Sequence, residues 1–329
     1  MNEQLGGGRY EEPKSINIYK DLKKEVTEYP KIEGDFPKKI EKSDISPRPI
    51  NADETEIVAQ RHGDYVRDRN DSRVGSLTPE AELEVRETAE NYFRNLVEQT
   101  PAEERHTLDV LFVTSDTQYF EGGRRSVETA DIAEQAAIKI FEEYGIPLEN
   151  IHNTRGKLKG ISENAGPRPM PGLREPQFLD NNPNFANQLL QKYSQTEGPN
   201  GEKKLDVNFW IAFETDVEAE LRQQHGAEGP DDIAERTAHS INVLGRYAQV
   251  YHKLNPGRRL VVWAATHYDT ISPYVRRDVL QQENYKDESL GVALGGGITI
   301  HIDSVGRATT EIADQSYDVP LKTSGKRTS

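Results

Sequence analysis

Residues 108–114 (LDVLFVT) and 259–265 (RLVVWAA) are apolar at almost every position. That is the pattern of β-strands covered on both faces, as in a parallel sheet between helices. A shorter β-prone run, residues 56–60, leads into Arg61-His62-Gly63. Between these runs the apolar spacing becomes helical. Leu77-Thr78-Pro79-Glu80 carries a start signal, with Thr78 as N-cap and Pro79 at the first helical position, where its missing N–H costs nothing. Leu83, Ala89, Tyr92, Phe93 and Leu96 then fit a helical face loosely. Residues 126–144 predict a second helix ending before Gly145, and residues 208–224 and 231–254 predict two more. Residues 298–303 and 307–312 predict a hairpin around Ser304-Val305-Gly306.

Alternating strands and helices predict an α/β fold: a three-layer α/β/α sandwich on a mostly parallel central sheet. The expected catalytic domain spans residues 53–315. Residues 1–52 hold Gly6-Gly7-Gly8, scattered prolines and few apolar positions, and are expected to be a disordered or irregularly docked extension. Residues 153–206, rich in Gly, Pro, Asn and Lys, suggest a polar insertion or lid. Residues 316–329 are expected to be a disordered tail.

Composition narrows the classes of function. The 329 residues include 41 Lys and Arg against 56 Asp and Glu, a formal net charge of −15. Such a body repels nucleic acid and anionic lipid, so neither is an expected partner. An anionic substrate would need a basic pocket set into it. The absence of cysteine removes disulfides, thiolate metal sites and cysteine nucleophiles. No apolar run approaches the roughly 18 residues of a membrane span. The first residues show neither the basic nor the apolar region of a secretory signal, so a cytoplasmic location is expected.

Three polar clusters each follow an apolar strand or lie in the turn to the next helix. They are Arg61-His62-Gly63, the stretch 115–129 with Arg124 and Arg125, and Thr266-His267. In open α/β sheets ligands bind in the crevice outside the carboxyl ends of the strands, so two histidines and at least two arginines could converge there. The residue types suit phosphoryl transfer, which asks a protein mainly for positioning and charge stabilisation. Arginine presents a charged planar fork that matches phosphate oxygens. A neutral imidazole is a competent nucleophile near pH 7, and guanidinium charge nearby keeps it neutral. Gly63 would let the backbone approach a ligand closely.

Arg61-His62-Gly63 after a strand, Leu77-Thr78-Pro79-Glu80 opening a helix, and residues 125–130 (RSVETA) together resemble the histidine phosphatase superfamily, in its phosphoglycerate-mutase-like branch. The late strand ending at His267 and the closing hairpin fit the same pattern, and the resemblance runs over roughly residues 54–312. It implies a phosphoglycerate-mutase-like fold and a phosphomonoester hydrolase acting on a small phosphorylated substrate, with no cofactor and no metal. His62 becomes the phosphorylated nucleophile, and Arg61, Arg125 and His267 become the phosphate pocket. Leu173-Arg174-Glu175 matches the branch's Leu-x-Glu context and makes Glu175 the general acid. Asp269 is the alternative, because the acid-phosphatase branch has an aspartate beside its second histidine. A phosphomutase of the same fold and a weakened phosphate-binding scaffold remain open.

The chain departs from the family at three places. Asp68 replaces an asparagine and would repel phosphate unless Arg67 or Arg69 compensates. Tyr268 stands where a small residue is usual. The stretch between Gly156 and Asn208 is long and polar. His106, His152, His225, His239, His252 and His301 show no metal-ligand spacing, Gly295-Gly296-Gly297 reads as a turn, and the Glu-rich stretch 80–90 reads as a solvated face.

Overall fold

The computed structural model describes residues 39–68, 70–118, 122–152, 167–197, 203, 205–287 and 289–321. Its centre is an eight-stranded sheet in the order Gln315–Val319, Ala308–Ile312, Gly297–Ile302, Thr55–Arg61, Arg259–Thr266, Leu108–Thr114, Ile151–His152, with Arg168–Pro169 also pairing Leu108–Thr114. The three middle strands are β2 (Thr55–Arg61), β6 (Arg259–Thr266) and β3 (Leu108–Thr114). They run parallel and are buried at every position, as the apolar sequences of β3 and β6 predict. β4 (Ile151–His152) and β5 (Arg168–Pro169) continue the parallel part on β3. On the other side β8 (Gly297–Ile302), β9 (Ala308–Ile312) and β10 (Gln315–Val319) run antiparallel to their neighbours.

Side chains alternate across the sheet and define two cores. Val58, Val110, Phe112, Val261 and Trp263 pack on one face against α1 (Pro79–Gln99) and α2 (Arg125–Tyr144). Ile57, Leu111, Val113, Leu260 and Val262 pack on the other. That face is covered by α3 (Phe178–Asn181), α4 (Pro183–Tyr193), α5 (Val207–Glu214), α7 (Pro230–Leu254) and α8 (Tyr268–Tyr274). The fold is therefore a three-layer α/β/α sandwich.

The start signal of α1 works as expected: Thr78 Oγ1 accepts from the Ala81 N–H at 3.2 Å, and Pro79 opens the helix. Ala89, Tyr92, Phe93 and Leu96 are buried as predicted, and one predicted position is not. Leu83 is 61% exposed, while Ala81, Val85 and Val97 join the predicted aromatic and leucine positions inside. The helix predicted over 208–224 is two, α5 and α6 (Ala219–Gln224), separated by a turn in which Asp216 has φ of 51°.

The structure adds detail to the extension, the tail and the insertion. Of residues 1–52, those from 39 onward are docked: β1 (Lys39–Ile40) pairs with β7 (Gly291–Val292), and Ile40, Ile45 and Ile50 are buried. Residues 1–38 lie outside the described residues. Residues 316–319, expected to belong to a disordered tail, are ordered instead, because β10 pairs with β9 through Val319; residues 322–329 lie outside the described residues. Within the insertion, residues 153–166 are also outside the description, yet Phe178, Phe185, Leu189 and Leu190 belong to the core. That stretch reads as polar because its apolar residues are few and clustered. Among the described residues no helix is long and apolar enough to cross a membrane.

Candidate active site

The registers of the three middle strands bring the candidate residues together. Arg61 on β2 faces Thr266 on β6, and Thr114 on β3 faces Ala265 on β6. His62, Ser115 and His267 are the next residues along each strand, so they emerge side by side at one rim of the sheet. Backbone bonds continue past the strand ends: the His62 N–H donates to the Thr266 carbonyl at 2.9 Å, and the Ser115 N–H donates to the Ala265 carbonyl at 2.8 Å. The triple glycine flanks the same rim as a turn. The Arg61 N–H donates to the Gly296 carbonyl at 2.7 Å, and the Gly295 N–H donates to the His62 carbonyl at 3.1 Å. A Cβ on Gly297 would sit 2.1 Å from the Ala59 carbonyl oxygen, so this turn needs glycine to pack on β2.

The two imidazoles face each other with ring centroids 5.2 Å apart and an interplanar angle of 69°. Both are buried. His62 Nδ1 lies 2.7 Å from the Gly63 carbonyl oxygen, and its Nε2 lies 2.9 Å from Arg125 Nε. A carbonyl only accepts and a guanidinium N–H only donates. These partners assign the proton to Nδ1 and leave a lone pair on Nε2 directed at Arg125. Burial holds the His62 pKa well below 6.5, and the charges of Arg125, His267 and Arg61 add to the effect. His267 is also held neutral, by burial first and then by Arg125, Arg236 and Arg61. Its Nε2 lies 3.0 Å from Ser115 Oγ and 3.3 Å from Ser126 Oγ.

Arg125 is the first residue of α2 and is buried, whereas Arg124 is exposed. The Arg125 guanidinium carbon lies 4.5 Å from the Tyr65 ring centroid, and Nη2 donates to Glu175 Oε2 at 2.8 Å. Arg61 is buried as well; it donates to the Val292 carbonyl and sits 5.1 Å over the ring of Tyr268. Tyr268 is thus the floor under a guanidinium, a role that a small residue could not fill.

Glu175 reaches the site on a loop held from several sides. The Arg236 Nη1 and Nη2 groups donate to the carbonyls of Gly172 and Glu175 at 2.8 and 3.2 Å, and Arg236 Nε donates to Glu228 at 2.6 Å. Thr266 Oγ1 donates to the Leu173 carbonyl at 2.7 Å, and Arg174 forks onto Asp116 at 2.6 and 2.7 Å. Asp269, on the first turn of α8, is 4% exposed, and its Oδ1 has no hydrogen-bond partner among the described residues. Burial lifts its carboxyl pKa far above the usual range, the Glu175 charge lifts it further, and Arg125 and Arg236 oppose the rise.

A Cβ on Gly63 would meet the Ala81 Cβ and Val85 Cγ2 at 3.1 Å each, so this glycine lets α1 pack closely against the loop. Asp68 is exposed and bonds the Asn70 backbone at 2.9 Å, while the Arg67 guanidinium is committed to Asp64 and lies 4.2 Å over the Tyr65 ring. Arg69 lies outside the described residues. Sequence reasoning passed over Arg236, Tyr65 and Ser126. Arg236 is a mid-helix arginine with no local motif, and Ser126 stood next to the Arg125 signal without being singled out. No group of three or more His, Asp or Glu among the described residues could hold a metal ion.

No protein-family model matches the chain, and no curated protein matches it. Among solved structures the chain is similar to mycobacterial hydrolase 1, at 16% identity over 80% of this chain and 99% of that one, with a TM-score of 0.37. It is similar to mycobacterial hydrolase 2 at 16% identity, over 82% and 90% of the two chains, with a TM-score of 0.38. A mycobacterial glucosyl-3-phosphoglycerate phosphatase matches at 15% identity over 78% and 97%, with a TM-score of 0.34.

Proposed function

We propose that this protein hydrolyses phosphate monoesters of small molecules through a phosphohistidine on His62. The observation that carries the reading is the orientation of one imidazole. His62 Nδ1 is tied to its own chain by the Gly63 carbonyl, and Nε2 points with its lone pair at a buried guanidinium. A dianionic phosphoryl group entering between Nε2 and Arg125 would meet a neutral nucleophile and a cation together.

In the first step Nε2 attacks phosphorus, the P–O ester bond breaks, and the leaving oxygen takes a proton from a carboxyl group. Arg61, Arg125 and His267 hold the phosphoryl oxygens, the two arginines as charged donors and His267 as a neutral one. In the second step water attacks the same phosphorus, gives a proton back to that carboxylate and breaks the P–N bond, releasing inorganic phosphate. One carboxyl serves as acid and then as base. Glu175 is our first choice for it, because its carboxylate already touches Arg125, and an arriving phosphoryl group would displace it toward the leaving oxygen. Asp269 is the second choice, favoured by a buried carboxyl whose pKa burial raises and by an oxygen with no hydrogen-bond partner among the described residues. The similar structures carry the names of hydrolases and of a phosphatase, and the proposed reaction is of that class.

The test is His62→Ala, assayed for release of p-nitrophenol from p-nitrophenyl phosphate and for acid-labile phosphoenzyme on rapid quench with labelled substrate. Both signals should vanish while the far-UV circular dichroism stays unchanged. Turnover that persists in a folded His62→Ala protein would remove the nucleophile assignment.

A further inference from the structure

Four backbone carbonyls in succession lead up to the Glu175 side chain, and each accepts a hydrogen bond from a side chain of another element. Arg236 Nη1 on α7 donates to the Gly172 carbonyl at 2.8 Å, and Thr266 Oγ1 on β6 donates to that of Leu173 at 2.7 Å. Thr270 Oγ1 on α8 donates to the Arg174 carbonyl at 3.0 Å, and Arg236 Nη2 donates to that of Glu175 at 3.2 Å. In a helix or strand such carbonyls are taken by backbone N–H groups; here the scaffold supplies the donors. Two of those donors, Thr266 and Thr270, flank His267 and Asp269, so the Glu175 loop and the second imidazole share one support.

Arg236 is the donor that spans the run, bonding its first and last carbonyl. Its Nε donates to Glu228 Oε1 at 2.6 Å, and Glu228 Oε2 accepts the Gln177 N–H at 2.9 Å. One arginine–glutamate pair thus grips the chain at residue 175 and again two residues later. At the near end Gly172 lies so close to α7 that a Cβ there would stand 3.1 Å from the Arg236 carbonyl oxygen. Towards β3 the Glu175 N–H donates to Thr117 Oγ1 at 3.3 Å. A planar guanidinium fork holds two carbonyls at once, whereas a lysine ammonium is a compact point charge on a flexible stem. Such rigidity matters because a general acid works only within hydrogen-bond reach of the oxygen it protonates, and a misplacement of about 1 Å costs about 10²-fold. The inference rests on the reading of Glu175 as proton donor: we propose that Arg236 is a positioning residue that fixes the loop backbone, so that the Glu175 carboxyl swings from Arg125 onto the leaving oxygen. Arg236 acts through the loop carbonyls and takes no part in the bonds that form or break.

Comparing kcat/KM for phenyl phosphate and for 2,4-dinitrophenyl phosphate tests this. That parameter covers only the steps up to departure of the leaving group, and dinitrophenolate departs without a proton while phenolate needs one. Glu175→Gln sets the reference, a loss confined largely to phenyl phosphate. Arg236→Lys, which keeps the charge near His267, should show the same pattern: a loss of about tenfold or more on phenyl phosphate and about threefold or less on the dinitrophenyl ester. Arg236→Gln added to Glu175→Gln should cost nothing further on phenyl phosphate, since a misplaced acid and a missing one are equivalent. Circular dichroism and the melting temperature check the fold, and Arg236→Lys carries the test alone if Arg236→Gln unfolds. An Arg236→Lys protein that loses nothing, or loses equally on both esters, overturns the proposal while Glu175→Gln stays selective. So does a folded double variant slower than Glu175→Gln alone. If Glu175→Gln itself responds alike to both esters, the acid assignment fails and the proposal with it, while labelled phosphoenzyme in that variant reports separately on His62.

Discussion

Replacing Arg125 by lysine keeps the charge and removes the fork, and so tests whether geometry or charge alone runs this site. In the folded protein the guanidinium makes three directed contacts: Nε to His62 Nε2 at 2.9 Å, Nη2 to Glu175 at 2.8 Å, and its face on Tyr65 at 4.5 Å. A lysine ammonium is a point charge on a shorter reach and can replace one of these at best. Losing one buried donor aimed at developing charge costs roughly 3–4 kcal/mol in the transition state, a factor of about 10² to 10³. Arg125→Lys should therefore lower kcat/KM for p-nitrophenyl phosphate by about two to three orders of magnitude and weaken competitive inhibition by phosphate. Steady-state kinetics with a phosphate inhibition series measure both, and circular dichroism checks the fold. A kcat/KM within threefold of wild type would refute the reasoning, because Arg125 would then be no more than a cation under a tyrosine.

Other expectations rest on different buried groups. Burial pushes the Glu56 pKa to about 7, outweighing the Tyr92 and Arg48 hydrogen bonds that lower it. Its unfolded value is 4.5, so the folded state binds the extra proton between those limits and stability falls as pH rises from about 4.5 to about 7. The full loss is about 3 kcal/mol, and Glu56→Gln should narrow the gap between urea midpoints at pH 5 and pH 8. The site histidines act in the opposite sense. Their folded pKa values lie far below 6.5, so the unfolded chain takes up protons first and stability is lost as pH drops below 6.5, by about 1.4 kcal/mol per pH unit for each ring. His267→Asn should gain stability relative to wild type at pH 5.5 compared with pH 7.5; an equal difference at both values would mean that His267 titrates normally. Glu175→Gln and Asp269→Asn separate the two candidate acids. The variant of the true acid should lose most activity toward p-nitrophenyl phosphate and recover part of it with a more acidic leaving group, while the other should respond alike to both substrates.

Much of this protein is legible along the chain, and the reasons are local. An apolar run such as 108–114 or 259–265 has to be buried on both faces, and Thr78-Pro79 caps a helix whatever surrounds it. His62 and His267 could be placed at one rim because each directly follows such a run. Other features exist only once the chain is folded. Arg236 enters the site from the middle of a helix, and Tyr268 matters because a guanidinium lies on it. The close packing of Gly63 against Ala81 and Val85 of α1 is announced by no neighbouring residue. The edge strand β10 is polar and becomes a strand through its ladder to β9. The protonation states of His62, His267 and Asp269 depend on how much water is excluded and on charges brought from distant positions. Sequence alone determined which segments must be buried and which groups could do chemistry. Strand register and desolvation, both tertiary properties, decided which of those groups meet and in what charge state.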